Sequence, residues 1–488
     1  MKLPLKDKSL LRPGAHIAGH WVESTPHGRY ALTNPATGET LIELPRFKTA
    51  ETRAAVAEAH RAFDAWRATT ALQRADILLR WFDLMIENRD DLALLITLEE
   101  GKPLSEARAE VDYAASFVRW FGEEARRVYG DVIHSARPTQ RILVLKQPIG
   151  VCAAITPWNF PAAMITRKAG PALAAGCTMV VKPASQTPLT ALALAELAKR
   201  AGIPAGVFSV LTGNDTREIG AELTANPDVR KITFTGSTEV GRVLLAQSAA
   251  TIKKCAMELG GNGPFIVFDD ADIDAAVEGL MIAKFRNTGQ SCVGANRVLV
   301  QRGVYEAFAK AFAAKTKALK VGNGLDQGVE IGPVIDANAV AKIEEHIANA
   351  VAGGARVLTG GKRHALGGNF FEPTVLADMK PGMQMACEET FGPVAGLFPF
   401  DTEADAIALA NDTEYGLASY FYAKDHARIW RVAEAIEAGI VGINCGLISI
   451  DVAPFGGIKQ SGLGREGSKY GIDEFLELKY LAWDGVAR

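Results

Sequence analysis

A series of apolar segments separated by helical stretches begins at Gly150, and it constrains the fold of this chain more than any other feature. The segments are continuously apolar rather than alternating, and they cover residues 150–155, 178–182, 207–211 and 231–235. The stretches between them are rich in Ala and Leu, notably 169–176 and 188–201, and predict helices. Apolar strands that alternate with helices are typical of a parallel sheet covered on both faces. The pattern therefore predicts a doubly wound, Rossmann-like α/β domain, which binds nucleotides at the carboxyl ends of its strands.

A second α/β pattern follows the glycines at 260 and 261. It predicts a strand at 264–268, a helix at 272–285, a strand at 297–301 and a helix at 304–320. Before the first pattern, a long helix is expected to start after Gly101-Lys102-Pro103 and to end at Gly130. Short strands are predicted at 141–147 and 475–478. With 488 residues, the chain is too long for one ordinary core and suits two large domains.

Composition and charge exclude several classes of protein. A hydrophobic content of 48%, a charged content of 22% and 47 glycines describe a globular α/β protein rather than a disordered or fibrous one. The net charge of −3 gives no electrostatic reason to expect nucleic acid or an anionic membrane as a partner. The six cysteines form no CxxC pair and the eight histidines form no metal-binding pattern, so we expect no metal. Without a signal peptide or an 18-residue apolar run, a cytoplasmic location is expected.

One cysteine lies in a polar turn that suits a reactive thiol. Cys292 is flanked by Gly289 and Gly294, which let the backbone turn sharply and approach a ligand. Arg286 and Arg297 are expected to make its surroundings electropositive and to lower the pKa of the thiol. A free cysteine more often behaves as a small buried hydrophobe, so the turn alone leaves both interpretations open.

Two further polar side chains stand at the ends of predicted strands. Glu258 follows an apolar strand and precedes two glycines, and loss of solvent there is expected to raise its pKa toward the range of a general base. Asn159 lies between two prolines at the tip of the first strand, where a fixed amide can stabilise an oxyanion. Each residue taken singly is equally explained as part of a turn or loop.

Other strand ends carry groups that suit a nucleotide. After strand 178–182, Lys182 is placed to bond ribose hydroxyls and Ser185 to face the adenosine 2′ position. Gly236 and Ser237 join a later strand to a helix, whose free N–H groups and positive end suit a phosphate. This turn lacks the full GxGxxG fingerprint, so it is equally explained as structural, and a solvated lysine is the alternative for Lys182.

These groups together match the needs of one reaction, the oxidation of an aldehyde through a covalent thioester. A cysteine hydrolase would need a partner histidine, and no histidine falls in these motifs. A nucleotide-binding protein that keeps only the fold is the other alternative. The joint presence of Cys292, Glu258 and Asn159 argues against it.

The same stretches resemble the aldehyde dehydrogenase superfamily over nearly the whole chain. The matching motifs are PWNFP at 157–161, KPAS at 182–185, FTGSTEVG at 234–241, ELGG at 258–261, GQSC at 289–292, EETFGP at 388–393 and PFGG at 454–457. Within the family, three stretches are similar to succinate-semialdehyde dehydrogenases, namely ITRK at 165–168, KFRN at 284–287 and SGLGREGSKYG at 461–471. The resemblance implies a Rossmann-like cofactor domain, a second α/β catalytic domain and a small β oligomerisation arm.

The resemblance also implies a role for each residue. Cys292 attacks the aldehyde, and Asn159 with the Cys292 backbone N–H holds the oxyanion. A hydride passes to nicotinamide, Glu258 activates the water that hydrolyses the thioester, and Lys168 assists proton transfer. Glu389 and Phe391 position the nicotinamide ribose and ring. The cofactor cleft as a whole is assigned to Thr156, Pro157, Trp158, Lys182, Ser185, Gly236, Ser237, Leu259, Glu389 and Phe391.

A few positions of the resemblance indicate which cofactor and which substrate to expect. Many NAD-preferring relatives have Glu where this chain has Ser185, and a serine accepts a 2′-phosphate that a carboxylate would repel. NADP is therefore expected, with NAD as a poorer second. Arg167 and Arg286 resemble the pair that clamps the distal carboxylate of succinate semialdehyde, with Ser449 as the third contact. A structural ion pair for either arginine, and glutarate semialdehyde as the substrate, remain alternatives.

The resemblance finally implies the organisation of the chain. The expected units are a cofactor-binding domain of residues 1–127 and 149–259, a catalytic domain of 260–460, and oligomerisation segments at 128–148 and 471–488. A homodimer or homotetramer is expected, and 4-aminobutyrate degradation is the natural pathway for such an enzyme.

Overall fold

The structure is a computed structural model that describes residues 3–485. Residues 1–2 of the predicted unit 1–127 and residues 486–488 of the predicted unit 471–488 lie outside the described range. The strands are β1 (Ala15–Ile17), β2 (His20–Val22), β3 (Arg29–Thr33), β4 (Thr40–Pro45), β5 (Asp131–Ile133), β6 (Arg141–Pro148), β7 (Val151–Ile155), β8 (Thr178–Lys182), β9 (Phe208–Val210), β10 (Val229–Thr235), β11 (Lys254–Glu258), β12 (Gly263–Val267), β13 (Ala295–Gln301), β14 (Arg356–Thr359), β15 (Thr374–Ala377), β16 (Val394–Phe400), β17 (Ala418–Tyr422), β18 (Ile440–Ile443), β19 (Gly462–Leu463) and β20 (Leu476–Trp483).

The helices cover the faces of the sheets that these strands form. They are α1 (Thr49–Arg67), α2 (Ala71–Glu87), α3 (Arg89–Glu100), α4 (Leu104–Glu124), α5 (Ala163–Ala175), α6 (Pro188–Ala201), α7 (Thr216–Ala225), α8 (Thr238–Ser248), α9 (Ile273–Phe285), α10 (Tyr305–Ala318), α11 (Ala337–Ala352), α12 (Gln384–Cys387), α13 (Glu403–Asn411), α14 (His426–Ala435) and α15 (Ser468–Asp473).

The first sheet has eight strands in the order β19-β11-β10-β7-β8-β9-β1-β2. Its five central strands run parallel, and β19 and β1 join the two sides antiparallel. Cys152 and Ala154 of β7 face a core built with α2, α4, α5 and α6, whereas Val151 and Ala153 face a second core built with α1, α7 and α8. Burial on both faces explains the continuously apolar strands. The predicted doubly wound sheet is confirmed.

The second sheet has seven strands in the order β14-β15-β16-β13-β12-β17-β18. All of its neighbouring pairs are parallel except β14 with β15. Phe265 and Val267 of β12 pack on one side with Phe308 and Phe312 of α10, and Ile266 packs on the other with residues of α11 and α14. Full burial of such a side chain stabilises the fold by about 1.5–3 kcal/mol. The second predicted α/β pattern is therefore confirmed.

A third, antiparallel sheet has the order β20-β6-β5. The strands β6 and β20 pair along their whole length, from Leu476 opposite Pro148 to Trp483 opposite Arg141. Most residues of β20 are exposed, so this sheet stands apart from the buried cores. The strand predicted at 475–478 is thus longer than its apolar residues indicated, because β6 supplies hydrogen bonds that local sequence does not reveal.

Two differences from the sequence-based expectations concern helices. The helix expected to reach Gly130 ends at Glu124 and continues only as a 3₁₀ turn over Ala125–Arg127. The stretch 169–176 is the second half of α5, which starts at Ala163. The polar residues 166–168 interrupt the apolar pattern, so the sequence did not predict that first half. No helix in the described residues combines the length and the apolar character needed to cross a membrane.

Candidate active site

Cys292 lies in the loop that leads into β13. The preceding turn has left-handed backbone at Asn287 (φ 54°), Thr288 (φ 56°) and Gly289 (φ 74°). A Cβ at Gly289 would lie 2.2 Å from the carbonyl oxygen of Gly392, so the turn requires glycine there. This backbone leaves Cys292 half-buried, accessible to a small molecule.

The expected electropositive surroundings of the thiol are not found. Burial and the nearby carboxylate of Glu389 raise the pKa of Cys292 to about 12, and the charge of Arg167 opposes them only partly. Arg297 donates instead to backbone carbonyls at the end of α13, at 2.6 and 2.9 Å. The expectation that Arg286 and Arg297 lower this pKa is wrong, because desolvation outweighs the nearby positive charge.

Asn159 lies directly beside the loop of the thiol. Its side-chain Nδ2 donates to the carbonyl oxygen of Gln290 at 3.0 Å, two residues before Cys292. Its own carbonyl oxygen accepts from Lys102 Nζ at 2.7 Å and from Asn287 Nδ2 at 2.8 Å. The structure therefore brings together the amide and the thiol loop that the sequence placed on separate elements.

Glu258 ends β11 as a buried carboxylate. It is 3% exposed, and neither carboxylate oxygen has a hydrogen-bond partner among the described residues. Burial and repulsion from Glu466 raise the pKa of Glu258 well above its usual value, and the charges of Arg167 and Lys168 oppose this shift. The predicted rise in the pKa of Glu258 is confirmed. A carboxylate without a hydrogen-bond partner is suited to receive a proton from water.

Glu466 anchors a cluster of buried charges next to Glu258. It forms ion pairs with Lys168 and, at 2.8 Å, with Arg167. Lys168 also donates to Thr235 Oγ1 at 2.6 Å, and burial lowers the pKa of Lys168. Although burial opposes it, the charges of Lys168 and Arg167 hold the pKa of Glu466 below its usual value. Lys168 is thus connected through Glu466 to the surroundings of Glu258.

The predicted nicotinamide contacts lie on the loop before β16. The Phe391 ring, in left-handed backbone at φ 55°, meets the ring of Trp158 edge to face at 5.5 Å. Burial raises the pKa of Glu389 to about 8. A Cβ built on Gly260, next to Leu259, would lie 3.5 Å from Glu389 Oε2. The cleft therefore assembles parts of three separate motifs.

The remaining cofactor candidates lie at the carboxyl ends of β7, β8 and β10. Lys182 is 2% exposed, and burial lowers its pKa to about 7. It donates to the carbonyl of Pro183 and has no ion-pair partner in the described residues. Ser237 caps α8 by accepting from the Val240 backbone N–H at 3.4 Å, with Gly236 just before it. The Ser185 hydroxyl lies 3.2 Å from the side-chain oxygen of the next residue.

These groups fit a dinucleotide that carries a phosphate on its adenosine ribose. A buried lysine without a carboxylate partner is stabilised in its charged form by an anion. The buried hydroxyl of Thr156, next to Pro157, has no hydrogen-bond partner in the described residues, which leaves a polar group free for a ligand.

A cavity of about 670 Å³ opens next to Arg286, and a smaller neighbouring pocket shares Arg286 and Ser449 with it and reaches Ser291 and Val293 on either side of Cys292. The lining of the larger cavity includes Tyr113, Phe160, Arg286 and Ser449. The guanidinium of Arg286 lies 4.9 Å from the centre of the Phe160 ring, and Arg286 has no ion-pair partner in the described range. The Glu106 carboxylate lines the same cavity and is influenced by the charge of Arg286, but it forms no ion pair with it, so the guanidinium is available to an anionic ligand.

Arg167 is placed differently from Arg286. It is 1% exposed, is paired with Glu466, and stacks on Phe455 at 3.9 Å. Its Nε nevertheless lacks a hydrogen-bond partner among the residues described. Burial raises the pKa of Tyr113, and the charges of Arg167 and Arg286 both oppose this shift. The charges of both arginines thus influence Tyr113, which lines the cavity. Arg167, however, is already paired with the Glu466 carboxylate.

Sequence reasoning did not single out Glu466, Tyr113 or Lys102. Glu466 could have been singled out, because it lies beside a glycine in the stretch 461–471 that carries the resemblance. Along the chain, Lys102 is only part of a helix break and Tyr113 only one residue of a helix. Their roles depend on contacts distant in sequence. The described residues contain no group of three or more His, Cys, Asp or Glu that could hold a metal ion.

Known proteins are similar to this chain along almost its whole length. A glutarate-semialdehyde dehydrogenase of Pseudomonas aeruginosa is 63% identical over 484 residues, covering 99% of this chain and all of that protein. An NADP⁺-dependent succinate-semialdehyde dehydrogenase of Escherichia coli is 62% identical over 479 residues, covering 98% of this chain and 99% of that protein. A crystal structure of an E. coli NADP-dependent enzyme superposes with a TM-score of 0.97 at 61% identity, covering 98% of this chain and 100% of that one.

The model of the aldehyde dehydrogenase family matches residues 21–481, which include all the candidate site residues. The predicted fold is therefore confirmed by the family and by the solved structure. With relatives this similar along almost its whole length, the chain belongs to the aldehyde dehydrogenase family.

Proposed function

We propose that this enzyme oxidises succinate semialdehyde to succinate with NADP. The observation that carries the proposal is Arg286, a cation without an ion-pair partner in the described residues, which lines the cavity together with Ser449. A guanidinium binds a carboxylate with two parallel hydrogen bonds. The aldehyde end of a short ω-carboxylated substrate would then point toward Cys292. The bacterial relatives named for succinate and glutarate semialdehyde support this substrate class.

In the first step the Cys292 sulfur adds to the aldehyde carbon and the thiol proton is released to water. The carbonyl oxygen becomes an oxyanion, and Asn159 Nδ2 with the Cys292 backbone N–H stabilises it. In the structure Asn159 Nδ2 donates to the Gln290 carbonyl at 3.0 Å. The amide nitrogen has a second N–H, which can donate to the oxyanion while this bond to the loop is kept.

When bound, NADP would supply the hydride acceptor for this oxidation, and Cys292 would then hold the acyl group as a thioester. Trp158, Leu259, Glu389 and Phe391 would line the nicotinamide end of the cleft. Thr156, Pro157, Lys182, Ser185, Gly236 and Ser237 would line the remainder. Ser185 carries no charge to repel a 2′-phosphate, which is the basis for proposing NADP ahead of NAD.

Glu258 completes the reaction as the general base. It takes a proton from water as the water oxygen attacks the thioester carbon, and the Cys292 sulfur leaves as a thiolate that is reprotonated. Lys168 assists this proton transfer in the proposal, and its charge, together with that of Glu466, acts on the pKa of Glu258. Aldehyde, NADP⁺ and water thus give carboxylate, NADPH and two protons.

Glutarate semialdehyde is the second candidate. It is one methylene longer than succinate semialdehyde, and the cavity of about 670 Å³ has room for it. A relative of similar identity carries that name. One methylene in such a pocket is worth about 1–3 kcal/mol in discrimination, so the two substrates are separable by kinetics.

Assembly into a dimer or tetramer through the third sheet is part of the proposal. Val132, Leu478, Tyr480 and Trp483 of this sheet are between 60% and 76% exposed. Exposed apolar groups of this kind mark interaction surfaces. Within the described residues, β18 ends the second sheet with an unpaired edge, which is open to a strand of another subunit. The division into a cofactor domain (1–127 and 149–259), a catalytic domain (260–460) and oligomerisation segments (128–148 and 471–488) is proposed with it.

The test is the rate of NADPH formation with succinate and glutarate semialdehyde, for the wild type and for Cys292→Ala. We expect rapid turnover of at least one diacid semialdehyde, with the matching dicarboxylate as product, and loss of turnover in the variant. No oxidation of either semialdehyde, or unchanged turnover without Cys292, would refute the proposal.

A further inference from the structure

Lys102 is a buried lysine that the proposed mechanism does not use. It lies in the turn between α3 and α4 and is 2% exposed. Its Nζ lies 2.5 Å from a Glu110 oxygen, 4.0 Å from a Glu100 oxygen and 4.0 Å from the centre of the Phe160 ring. Its third polar contact is the carbonyl oxygen of Asn159, at 2.7 Å.

Stability alone does not account for such a cluster. Removing charges from water costs several kcal/mol per ion, and replacing a buried ion pair with apolar residues is often neutral or stabilising. Lys102 and its two glutamates are nearly inaccessible, and Glu100 Oε1 has no hydrogen-bond partner in the described residues. The cluster instead fixes the position of the Lys102 ammonium, which donates to the main-chain carbonyl of Asn159, the proposed oxyanion donor.

The main chain of Asn159 belongs to a closed ring of hydrogen bonds. Its carbonyl oxygen accepts from Lys102 Nζ and from Asn287 Nδ2, at 2.7 and 2.8 Å. Asn287 Nδ2 also reaches the Gln290 carbonyl at 3.2 Å, and that carbonyl accepts from Asn159 Nδ2 at 3.0 Å. Two donors on one carbonyl fix the plane of the peptide after Asn159. The ring thereby ties the amide to the loop that carries Cys292.

Glu110 connects the same lysine to α5. Its Oε1 accepts from the backbone N–H of Ala162 at 2.9 Å and of Ala163 at 3.4 Å, at the start of the helix that carries Lys168. A carboxylate at this end satisfies free N–H groups and is favoured by the helix dipole. Glu110 Oε2 binds Lys102, so the lysine is fixed relative to a rigid element.

We propose that Lys102, held by Glu110, is a positioning residue that orients Asn159 to stabilise the oxyanion. The inference rests on the proposed function, in which Asn159 is the oxyanion donor. Lys102 also lines the cavity, but in this role it acts through Asn159 and requires no contact with the substrate. Its removal lets the Asn159 peptide tilt, and a displacement of about 1 Å in a catalytic group can cost about a hundredfold in rate.

The test is a double-mutant cycle of Lys102→Met with Asn159→Ala. Met keeps most of the length of the side chain without its charge. In the Lys102→Met enzyme we expect kcat to fall by about tenfold to a hundredfold, with the KM for NADP within about threefold of wild type. In the Asn159→Ala background, the same substitution should change kcat by less than about threefold. Lys310→Met, which alters an exposed lysine of α10, is the matched control and should leave kcat unchanged.

Thermal unfolding and NADP binding, measured on each variant, separate folding from positioning. If Lys102→Met does not fold, Glu110→Gln replaces it, and its smaller loss of kcat should also vanish in the Asn159→Ala background. Equal fold-losses in both backgrounds, or a folded Lys102→Met enzyme with wild-type kcat, would overturn the inference. A wild-type kcat in Asn159→Ala would instead overturn the proposed role of Asn159.

Discussion

The Arg167 guanidinium lies 2.8 Å from the Glu466 carboxylate, so one of the two arginines predicted to clamp the substrate is already paired. The other, Arg286, has no such partner in the described residues and lines the cavity. In the proposed function, recognition of a distal carboxylate would therefore depend mainly on Arg286. Arg167 contributes its positive charge to the pKa values of Cys292 and Glu258.

The charge of Glu466 should influence the pH at which Glu258 acts. It raises the pKa of Glu258, whereas Arg167 and Lys168 lower it. In Glu466→Gln the repulsion is lost and both cations remain, so the pKa of Glu258 should fall. Because Glu258 acts in its deprotonated form, the rise of kcat with pH should move to lower pH.

The pH profile of kcat measures this shift. On its acid side, the fraction of maximal kcat reached at a given pH should be about threefold higher or more in Glu466→Gln than in the wild type. Glu477→Gln, at an exposed position of β20, should leave the profile in place. An unmoved profile in a folded Glu466→Gln enzyme would contradict the coupling.

Removal of the general base should separate the two halves of the reaction. In Glu258→Gln the thioester forms but its hydrolysis slows by about a hundredfold or more. Rapid mixing with succinate semialdehyde should therefore give a burst of about one NADPH per active site, followed by slow turnover. Loss of the burst itself would show that Glu258 acts before the thioester forms.

The reactivity of the thiol should depend on Glu389. Its carboxylate has a pKa of about 8 and, together with burial, raises the pKa of Cys292 to about 12. At about pH 9 the Glu389 carboxylate is mostly charged, so Glu389→Gln should lower the thiol pKa and increase the thiolate fraction. The rate of Cys292 alkylation by iodoacetamide at that pH should then rise by about threefold or more. Glu388→Gln, at the neighbouring exposed residue, should leave that rate at the wild-type value, and equal rates in all three proteins would contradict the assignment.

Cofactor preference should be set at Ser185. In Ser185→Glu a carboxylate faces the 2′ position of the adenosine ribose, which repels a phosphate and accepts hydrogen bonds from hydroxyls. The kcat/KM for NADP should fall by about tenfold or more, equivalent to about 1.4 kcal/mol, while that for NAD stays equal or rises. Ser185→Ala separates the loss of the hydroxyl from the added charge. Parallel losses with both cofactors in Ser185→Glu would mean that residue 185 does not face the 2′ position.

The sequence predicted the fold correctly where the pattern of apolar residues reflects which residues are buried. The strands β7, β8 and β12 are apolar on both faces because helices cover both sides, and their bounds and those of β10 agree with the predictions within two residues. The first half of α5 was missed because Arg167 and Lys168 are buried there as ions, against the usual pattern of a covered helix. The length of β20 depends on its pairing with β6, a partner distant in sequence that local residues do not reveal.

The candidate site was predictable where a motif carries the chemistry. Cys292, Glu258 and Asn159 lie in short motifs at element ends, and their positions follow from the fold. The electrostatics were not predictable from neighbours in sequence. Arg297 lies near Cys292 along the chain but binds the carbonyls at the end of α13, whereas Glu389 acts on the thiol from a distant loop.

The most direct test of substrate recognition compares kcat/KM for succinate semialdehyde and for butyraldehyde, an uncharged aldehyde of the same length, in the wild type and in Arg286→Gln. We expect the wild type to prefer the semialdehyde strongly. In the variant its kcat/KM should fall by about a hundredfold, equivalent to about 2.8 kcal/mol, while that for butyraldehyde stays within about threefold. Lys315→Gln removes a cation that lines the same cavity but is paired with Glu278, and it should leave the preference intact. Equal losses for both aldehydes, or an unchanged preference in Arg286→Gln, would contradict recognition of the substrate carboxylate by Arg286.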